Sequence, residues 1–337
     1  MKWQLFLGLG ISAACLIWLL SQVDLEHLWL LIIHINLLYP LMVMALLAWV
    51  FYLRSQRWRL LLQPIKSCRL ADLYSANLIG FMANNLLPVR LGELVRAYAA
   101  DRLCQVPVSS ALATLVIERI LDGMAILAFF FLALLFTDPA ARAGAFSVAY
   151  LRAVGLGLLV IYLAVLALLT SLYRWPRATT GWLSGLAGRL SPGWGQKLAS
   201  ALEHFTQGLA LLGQGRRLPL LVAQSLALWL LMLLSAYVFL PAVGLPCNLL
   251  MAAMVLAGGT LAAAVPAGPG YIGTTQLAIT WTLMMAGADP ERAAAFSLIY
   301  WACLYFPVTA AGLVEMTRRG LSLASLRQGG APGGEAG

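Results

Sequence analysis

Residues 84–96 read Asn-Asn-Leu-Leu-Pro-Val-Arg-Leu-Gly-Glu-Leu-Val-Arg, a polar and helix-breaking segment in a 337-residue chain that is 62% hydrophobic and 10% charged. Ionisable side chains and proline are costly in contact with lipid, so such a segment is typical of backbone that lines an enclosed or wet cavity in a membrane. The mean hydropathy of +0.87 excludes an ordinary soluble domain. The composition therefore predicts an all-α, polytopic membrane protein.

Six apolar runs are long enough to cross a bilayer, which takes about 20 helical residues. The first run is predicted to be a retained anchor, because it continues past Ala14 and no small-residue cleavage site follows. We expect six full spans, at 3–20, 38–58, 109–136, 149–171, 219–240 and 292–316.

The net charge of +9 is consistent with a nucleic-acid partner, but most of the 22 basic residues fall on one side of this membrane layout. Cytoplasmic segments of membrane proteins carry an excess of Lys and Arg. Both termini are therefore predicted to be cytoplasmic, and no nucleic acid is expected as a partner.

Two regions, 70–104 and 250–288, each hold two short apolar pieces divided by proline and glycine. A full crossing by either would place basic segments on the wrong side, so each is predicted to be a re-entrant hairpin, and the two enter from opposite faces. Pro88 and Gly92 recur with the same spacing as Pro266 and Gly270. This pattern predicts an inverted repeat, and transporters built from such repeats bind substrate near the broken elements.

The division into halves follows from this repeat. A basic insert at 172–218 separates the halves and is predicted to be cytoplasmic, with an amphipathic helix from Ser191 lying along the membrane surface. The predicted boundaries are 1–319 for the transmembrane domain, 1–136 and 149–319 for its halves, and 320–337 for a disordered cytoplasmic tail.

The first hairpin concentrates hydrogen-bonding and charged groups. Asn84 and Asn85 offer amides, and Arg90 lies on the loop, where a guanidinium can bind phosphate through two nitrogens. Glu93 begins the second half-helix, and Arg96 either shares that face or pairs with Glu93. The alternative is a self-contained ion pair that only closes the hairpin.

The next span carries Glu118, Arg119 and Asp122 within an otherwise apolar helix. Glu118 and Asp122 share a face and Arg119 reaches Asp122, so one negative charge is left without a partner. This charge is expected to pair with Arg90 or Arg96, or else with a bound cation or a cationic lipid headgroup. The alternative is an interfacial cluster that only anchors the helix.

The second hairpin has almost no charge. Gly270 and Gly273 let the backbone approach a ligand, and Thr274 and Gln276 add neutral hydrogen bonds at a helix start. This set suits either headgroup recognition or a tight turn between two packed half-helices.

Three motifs carry a family resemblance: Asn-x-Leu-Leu-Pro-x-Arg-x-Gly-Glu at 84–93, Glu-Arg-x-x-Asp at 118–122 and Pro-Gly-x-x-Gly at 269–273. In this order, over roughly residues 1–320, the chain resembles the flippase-like transmembrane domain of lysylphosphatidylglycerol synthases. The resemblance implies a bacterial inner-membrane protein that moves, or helps to move, a polar-headgroup lipid between leaflets. It also implies a polar lining made by Asn85, Arg90, Glu93, Arg96, Glu118, Arg119 and Asp122.

Two departures from the family bear on mechanism. Gln276 stands where the family often has Glu, and Tyr271 replaces a glycine, which argues against proton coupling by the second hairpin. The soluble synthetase domain is expected to be absent, so the chain is not expected to make lysyl lipid by itself.

The leading hypothesis is translocation of an anionic, aminoacylated or polyprenyl-linked lipid. No Gly-x-x-x-x-Gly-Lys-Ser/Thr motif is present, so ATP is not expected to drive it. Five cysteines and three histidines are scattered without ligand spacing, and neither a metal nor another cofactor is expected.

Two alternatives stay open. One is a membrane transferase that uses Glu93, Glu118 or Asp122 as a base or metal ligand, although no catalytic motif is recognised and no enzyme is expected. The other is an accessory subunit that serves a separately encoded lipid-synthesising enzyme. A homo-oligomer is compatible with each hypothesis.

Overall fold

The structure is a computed structural model, and the regular structure of its described residues is helical apart from one antiparallel ribbon of two-residue strands. Several predicted features lie outside the described residues: Pro88, Arg90, Pro266, most of the predicted amphipathic helix and most of the tail. The structure describes residues 2–87, 91–135, 142–143, 146–190, 193, 195–196, 199, 202, 218–262 and 268–322.

The first half forms an anchor region followed by two long helices that flank a helical hairpin. Asp24 explains a break in the anchor region, because its carboxylate accepts the backbone N–H groups of Glu26 and His27 and so starts a separate helix. The helices are α1 (Lys2–Ser21), α2 (Leu25–Ile33), α3 (Leu38–Leu62), α4 (Leu70–Leu86), α5 (Gly92–Cys104) and α6 (Val108–Leu135).

In the second half, as the structure describes it, two helices precede a further pair of short helices that again lies between two long ones. The ribbon, β1 (Arg142–Ala143) and β2 (Phe146–Ser147), precedes it. The helices are α7 (Val148–Arg174), α8 (Pro176–Leu190), α9 (Leu218–Phe239), α10 (Leu249–Ala262), α11 (Thr274–Met285) and α12 (Pro290–Arg318).

Each of the six predicted spans falls on a helix, namely α1, α3, α6, α7, α9 or α12. Among the described residues, three helices are long and apolar enough to cross a membrane: Leu38–Leu62, Leu218–Val243 and Pro290–Arg318. The bent pair Gly8–Ser21 and Leu25–Ile33, with 96° between its helices, is a fourth candidate. The chain is therefore an all-helical polytopic membrane protein, and the count of six full spans stays a prediction.

Glycines explain why α4 and α5 lie close together. A Cβ at Gly80 would stand 2.5 Å from the Cβ of Arg96, and a Cβ at Gly92 would overlap the carbonyl oxygen of Gly80. The Asn84 amide oxygen accepts the Gly92 N–H at 2.8 Å, which satisfies a backbone donor at the start of α5. Close backbone approach through small residues is the usual way in which helices associate in membranes. The helix bounds show that regions 70–104 and 250–288 each contain a pair of short helices. Their re-entrant course stays a prediction.

The two helical hairpins pack against long helices of the opposite half. Helix α4 packs on α12, and α10 packs on α6. Gly312 of α12 permits the first contact, since a Cβ there would stand 2.6 Å from the carbonyl oxygen of Leu78. Helices α3 and α9 also pack on each other, which joins the two halves.

A polar contact holds the start of α4 to the end of α12. Asp72 is 3% exposed and accepts from Arg319 Nη1 at 2.6 Å and from Arg69 Nε at 2.8 Å. Nearby, Ser75 Oγ donates to Glu315 Oε2 at 2.7 Å. The charge–charge and neutral hydrogen bonds together tie two elements that lie far apart in sequence.

Replacing this carboxylate tests the contact. We expect Asp72→Asn to lower the free energy of unfolding by about 2 kcal/mol, because a charge-assisted hydrogen bond is lost at a buried position. The control is Arg69→Gln, which removes a partner whose side chain is 81% exposed and should cost under about 1 kcal/mol. Equal losses in a detergent unfolding titration would show that the contact with Arg319 contributes nothing.

Candidate functional site

Charged side chains of α3, α5 and α6 meet inside the first half. Helix α6 presents its charges at positions one turn apart, so they point toward α3 and α5 together. We call the set the ion network, and its members are Arg54, Arg57, Glu93, Arg96, Glu118, Arg119 and Asp122.

Glu118 lies at the centre of the ion network and is fully buried. Its Oε2 receives Arg96 Nη1 at 2.6 Å, and its Oε1 lies 3.6 Å from Arg57 Nε. The Arg96 guanidinium also lies over the Trp58 ring, 4.0 Å from the centroid, which favours a cation at this point. Arg96 therefore pairs with a negative charge of α6, and it is one of the two arginines that the sequence offered as partners.

Asp122 is the second anchoring carboxylate, one turn further along α6. Its Oδ1 accepts from Arg57 Nη1 at 2.6 Å and from Trp229 Nε1 at 2.9 Å. Its Oδ2 lies 3.2 Å from Arg119 Nη2, so the contact predicted from their three-residue spacing is present. Arg54 Nη1 stands 3.7 Å from the same oxygen.

The ion network is closed in this structure except at one edge. The side chains of Arg54, Arg57, Arg96, Glu118 and Asp122 are at most 7% exposed. Glu93 and Arg119 are 33% and 47% exposed, and the Nε of Arg119 lies 3.9 Å from Oε1 of Glu93. A group arriving from outside would meet this loosely paired edge first.

Many polar atoms of the ion network have no hydrogen-bond partner within the part of the chain that the structure describes. Burial of such atoms is costly unless a further group satisfies them. The nitrogens are Nε and Nη1 of Arg54, Nε and Nη2 of Arg57, and Nε and Nη2 of Arg96. The oxygens are Glu93 Oε2, Glu118 Oε1 and Asp122 Oδ2.

Arg54 and Arg57 were not predicted as site residues, because they belong to the basic residues that the positive-inside pattern places on the cytoplasmic side. Helix α3 continues to Leu62, so both arginines lie on a helix that packs against α6 and α9. Arg57 Nη1 also donates to Ser225 of α9 at 2.8 Å. The usable signal was the three-residue spacing of two arginines in one helix, opposite a helix that carries uncompensated carboxylates.

The two asparagines of the first hairpin serve different contacts. Asn84 caps α5, as described above, whereas Asn85 Nδ2 donates to Thr309 Oγ1 of α12 at 2.8 Å. Tyr305, one turn before Thr309, packs against Gly270, where an added Cβ would overlap the ring. Asn85 and Gly270 thus lie close to the same turn of α12, while Arg90 lies outside the described residues.

The remaining residues of the second hairpin form a closed turn. Gly273 has φ +87°, and its N–H donates to the Gln276 side chain at 2.7 Å. Thr274 Oγ1 donates to the Tyr271 carbonyl at 3.2 Å. Ser12 of α1 covers the turn, since its Oγ accepts the Gly268 N–H at 2.9 Å. These contacts belong to a separate group from the ion network, and they fit the tight-turn alternative.

The fold and the ion network together define a polytopic membrane protein with paired charges buried among its helices. Residues 5–312 match the family model described as "Lysylphosphatidylglycerol synthase TM region". Because this match covers most of the chain, the protein belongs to that family.

Two relatives extend the comparison. A UPF0104 membrane protein of Methanothermobacter thermautotrophicus is 26% identical over 295 residues, which cover 85% of this chain and 86% of the relative. A UPF0104 membrane protein of Methanocaldococcus jannaschii is 22% identical over 233 residues, which cover 68% of this chain and 91% of the relative. No solved structure matches the chain.

Proposed function

We propose that this protein is a lipid translocase of the bacterial inner membrane that moves a polar-headgroup lipid between leaflets without ATP. The observation that carries this proposal is the buried ion network of α3, α5 and α6. Ionisable residues inside membrane proteins are costly, and they mark pathways for ions or substrates. Membership of the lysylphosphatidylglycerol synthase TM family supports a lipid as the transported molecule.

The mechanism is an exchange of partners. A headgroup enters at the edge formed by Glu93 and Arg119, while its acyl chains stay in the bilayer. Inside, it replaces a carboxylate or arginine as the partner of a charge already present. An ionised group at the bilayer centre otherwise costs about 3 kcal/mol or more. The ion network lowers that barrier, so transport runs down a gradient or is coupled to ions through Glu118 or Asp122.

The proposal includes six full spans, two opposed re-entrant hairpins, an inverted repeat and cytoplasmic termini. The packing of the helices supports the repeat, because exchanging α3–α6 for α9–α12 converts each principal contact into another that is present. The pair α4–α12 becomes α10–α6, and α3–α12 becomes α9–α6. Repeats of this kind allow one half to rock against the other around a fixed site.

The same proposal gives the protein no synthetic activity of its own. It would receive its lipid from a separately encoded enzyme, and Glu93, Glu118 and Asp122 would pair charges rather than act as bases. Product formed by the purified protein from a nucleotide-sugar or aminoacyl donor would replace this proposal with a transferase.

Reconstitution into liposomes tests the translocase directly. We expect the purified protein to accelerate the crossing of a fluorescent lipid, measured as the fraction that a membrane-impermeant quencher reaches with time. Protein-free liposomes give the background rate. The labelled lipids should include anionic, cationic and polyprenyl-linked headgroups, and a background rate for every one of them would refute the proposal.

A further inference from the structure

The charge of the ion network differs from the charge expected for α6 alone. Glu118, Arg119 and Asp122 have a net charge of −1 when ionised, which a cationic headgroup could neutralise. The structure adds Arg54, Arg57 and Arg96, so that four arginines face three carboxylates when Glu93 is included. The assembled set therefore carries an excess of positive charge when all its members are ionised.

The unpartnered donors of two arginines form a suitable edge for an anion. Arg57 and Arg96 each use Nη1 for a carboxylate, at 2.6 Å in both cases. Among the described residues, each leaves Nε and Nη2 without a hydrogen-bond partner, and Arg57 Nε has an ion contact of 3.6 Å with Glu118 Oε1. These two adjacent nitrogens make the planar fork through which arginine binds phosphate or carboxylate in a bidentate manner. Both side chains are at most 1% exposed, so bulk water does not satisfy the fork.

The carboxylates are less available to an incoming cation. Glu118 and Asp122 each already receive a guanidinium nitrogen at 2.6 Å. Among the described residues, an ammonium group would find three network oxygens without a hydrogen-bond partner, against six guanidinium nitrogens, and it would share the site with four arginines. A phosphate would accept from these six nitrogens and would replace Glu118 Oε1 as the group that faces Arg57 Nε, now 3.6 Å away.

We propose that the ion network binds the phosphate of an anionic lipid headgroup and discriminates against a cationic, aminoacylated headgroup. This inference rests on the proposed function and names its substrate class. Arg119, which is 47% exposed, is the first cation that the phosphate meets, and Arg54, Arg57 and Arg96 hold it inside.

The test compares lipids with the same acyl chains in the liposome assay. Phosphatidylglycerol should cross at least about tenfold faster than lysyl-phosphatidylglycerol or phosphatidylcholine, the effect of one charge-assisted hydrogen bond. Equal acceleration of all three lipids would overturn the anionic preference and leave the translocase standing. No acceleration of any lipid would overturn the translocase itself.

Arg54→Gln tests the assignment to these side chains. Arg54 lies 3.7 Å from Asp122, which keeps Arg57, Arg119 and Trp229, and 4.8 Å from the centroid of the Phe81 ring. The variant loses no short hydrogen bond and should therefore fold. We expect the preference for phosphatidylglycerol to fall about tenfold. The control, Arg102→Gln, makes the same charge change at an exposed residue bonded to Tyr98 and should keep the preference. An equal preference for phosphatidylglycerol in both variants would overturn the assignment. If Arg54→Gln does not fold, the same comparison of lipids is made with Arg54→Lys.

A binding measurement separates lipid phosphate from a soluble anion. Native mass spectrometry should show phosphatidylglycerol retained by the native chain, and calorimetry should show no binding of inorganic phosphate at millimolar concentration. Tight binding of inorganic phosphate without retained lipid would assign a soluble anion and overturn the lipid proposal.

Discussion

Glu118→Gln is expected to lower the free energy of unfolding by about 3–5 kcal/mol, the cost of removing one partner from a buried ion pair. The substitution keeps the size of the side chain and removes the charge that faces Arg96 at 2.6 Å and Arg57 at 3.6 Å. Both guanidinium groups then stay buried with one counter-charge fewer. A detergent unfolding titration followed by circular dichroism measures the change.

Glu93→Gln is the matched control within the same ion network. Glu93 is 33% exposed, and its contacts with Arg96 and Arg119 are both 3.9 Å long. Exposed pairs of this kind contribute about 0–1 kcal/mol. If the two variants unfold at the same denaturant concentration, the burial of Glu118 among the arginines is not what stabilises the first half.

The second large effect is expected at Gly273, where α1 covers the second hairpin. A Cβ at this position would overlap the carbonyl oxygen of Ser12, and the residue has φ +87°. Gly273→Ala should therefore cost about 2–5 kcal/mol, because backbone strain and overpacking add. Thermal unfolding in detergent measures the loss.

Gly287→Ala separates the two causes. Gly287 has φ +90°, yet an added Cβ there meets no described atom within 4 Å. It should cost only about 1–2 kcal/mol, the strain of a left-handed backbone on an L-residue. Equal unfolding temperatures for the Gly273 and Gly287 variants would mean that the close contact of α1 with Gly273 adds no cost.

The helices of this fold are predictable because membrane spans need long apolar runs. The positions of α3, α6, α7, α9 and α12 follow from such runs within a few residues. Helix α2 was missed, because it depends on a local cap at Asp24 rather than on an apolar pattern. The functions of the glycines were also hidden, since the partner of Gly273 is Ser12, at the opposite end of the chain.

The sequence predicts the charges that α5 and α6 contribute to the ion network but not those of α3. Charges inside the apolar run of α6 were conspicuous, and the pairing of Arg119 with Asp122 follows from helical spacing alone. Arg54 and Arg57 looked like a basic flank, because the positive-inside pattern places such residues at the membrane surface. Only the packing of α3 against α6 and α9 brings Arg57 to Asp122 and Ser225.

The central claim is that the buried charges of the ion network carry a lipid headgroup across the membrane. Replacing Arg96 and Glu118 together by Leu removes a 2.6 Å pair without leaving either charge alone, and such exchanges usually preserve folding. The control replaces Asp101 and Arg102 by Leu, which also removes one charge of each sign but lies outside the ion network, where the Arg102 side chain is exposed and bonded to Tyr98.

The deciding measurement is the rate of phosphatidylglycerol crossing in liposomes that contain equal amounts of folded native protein, Arg96→Leu/Glu118→Leu variant or Asp101→Leu/Arg102→Leu control. We predict that the first variant falls to the rate of protein-free liposomes while the control stays close to native. A folded Arg96→Leu/Glu118→Leu variant that moves lipid at the native rate would contradict the claim.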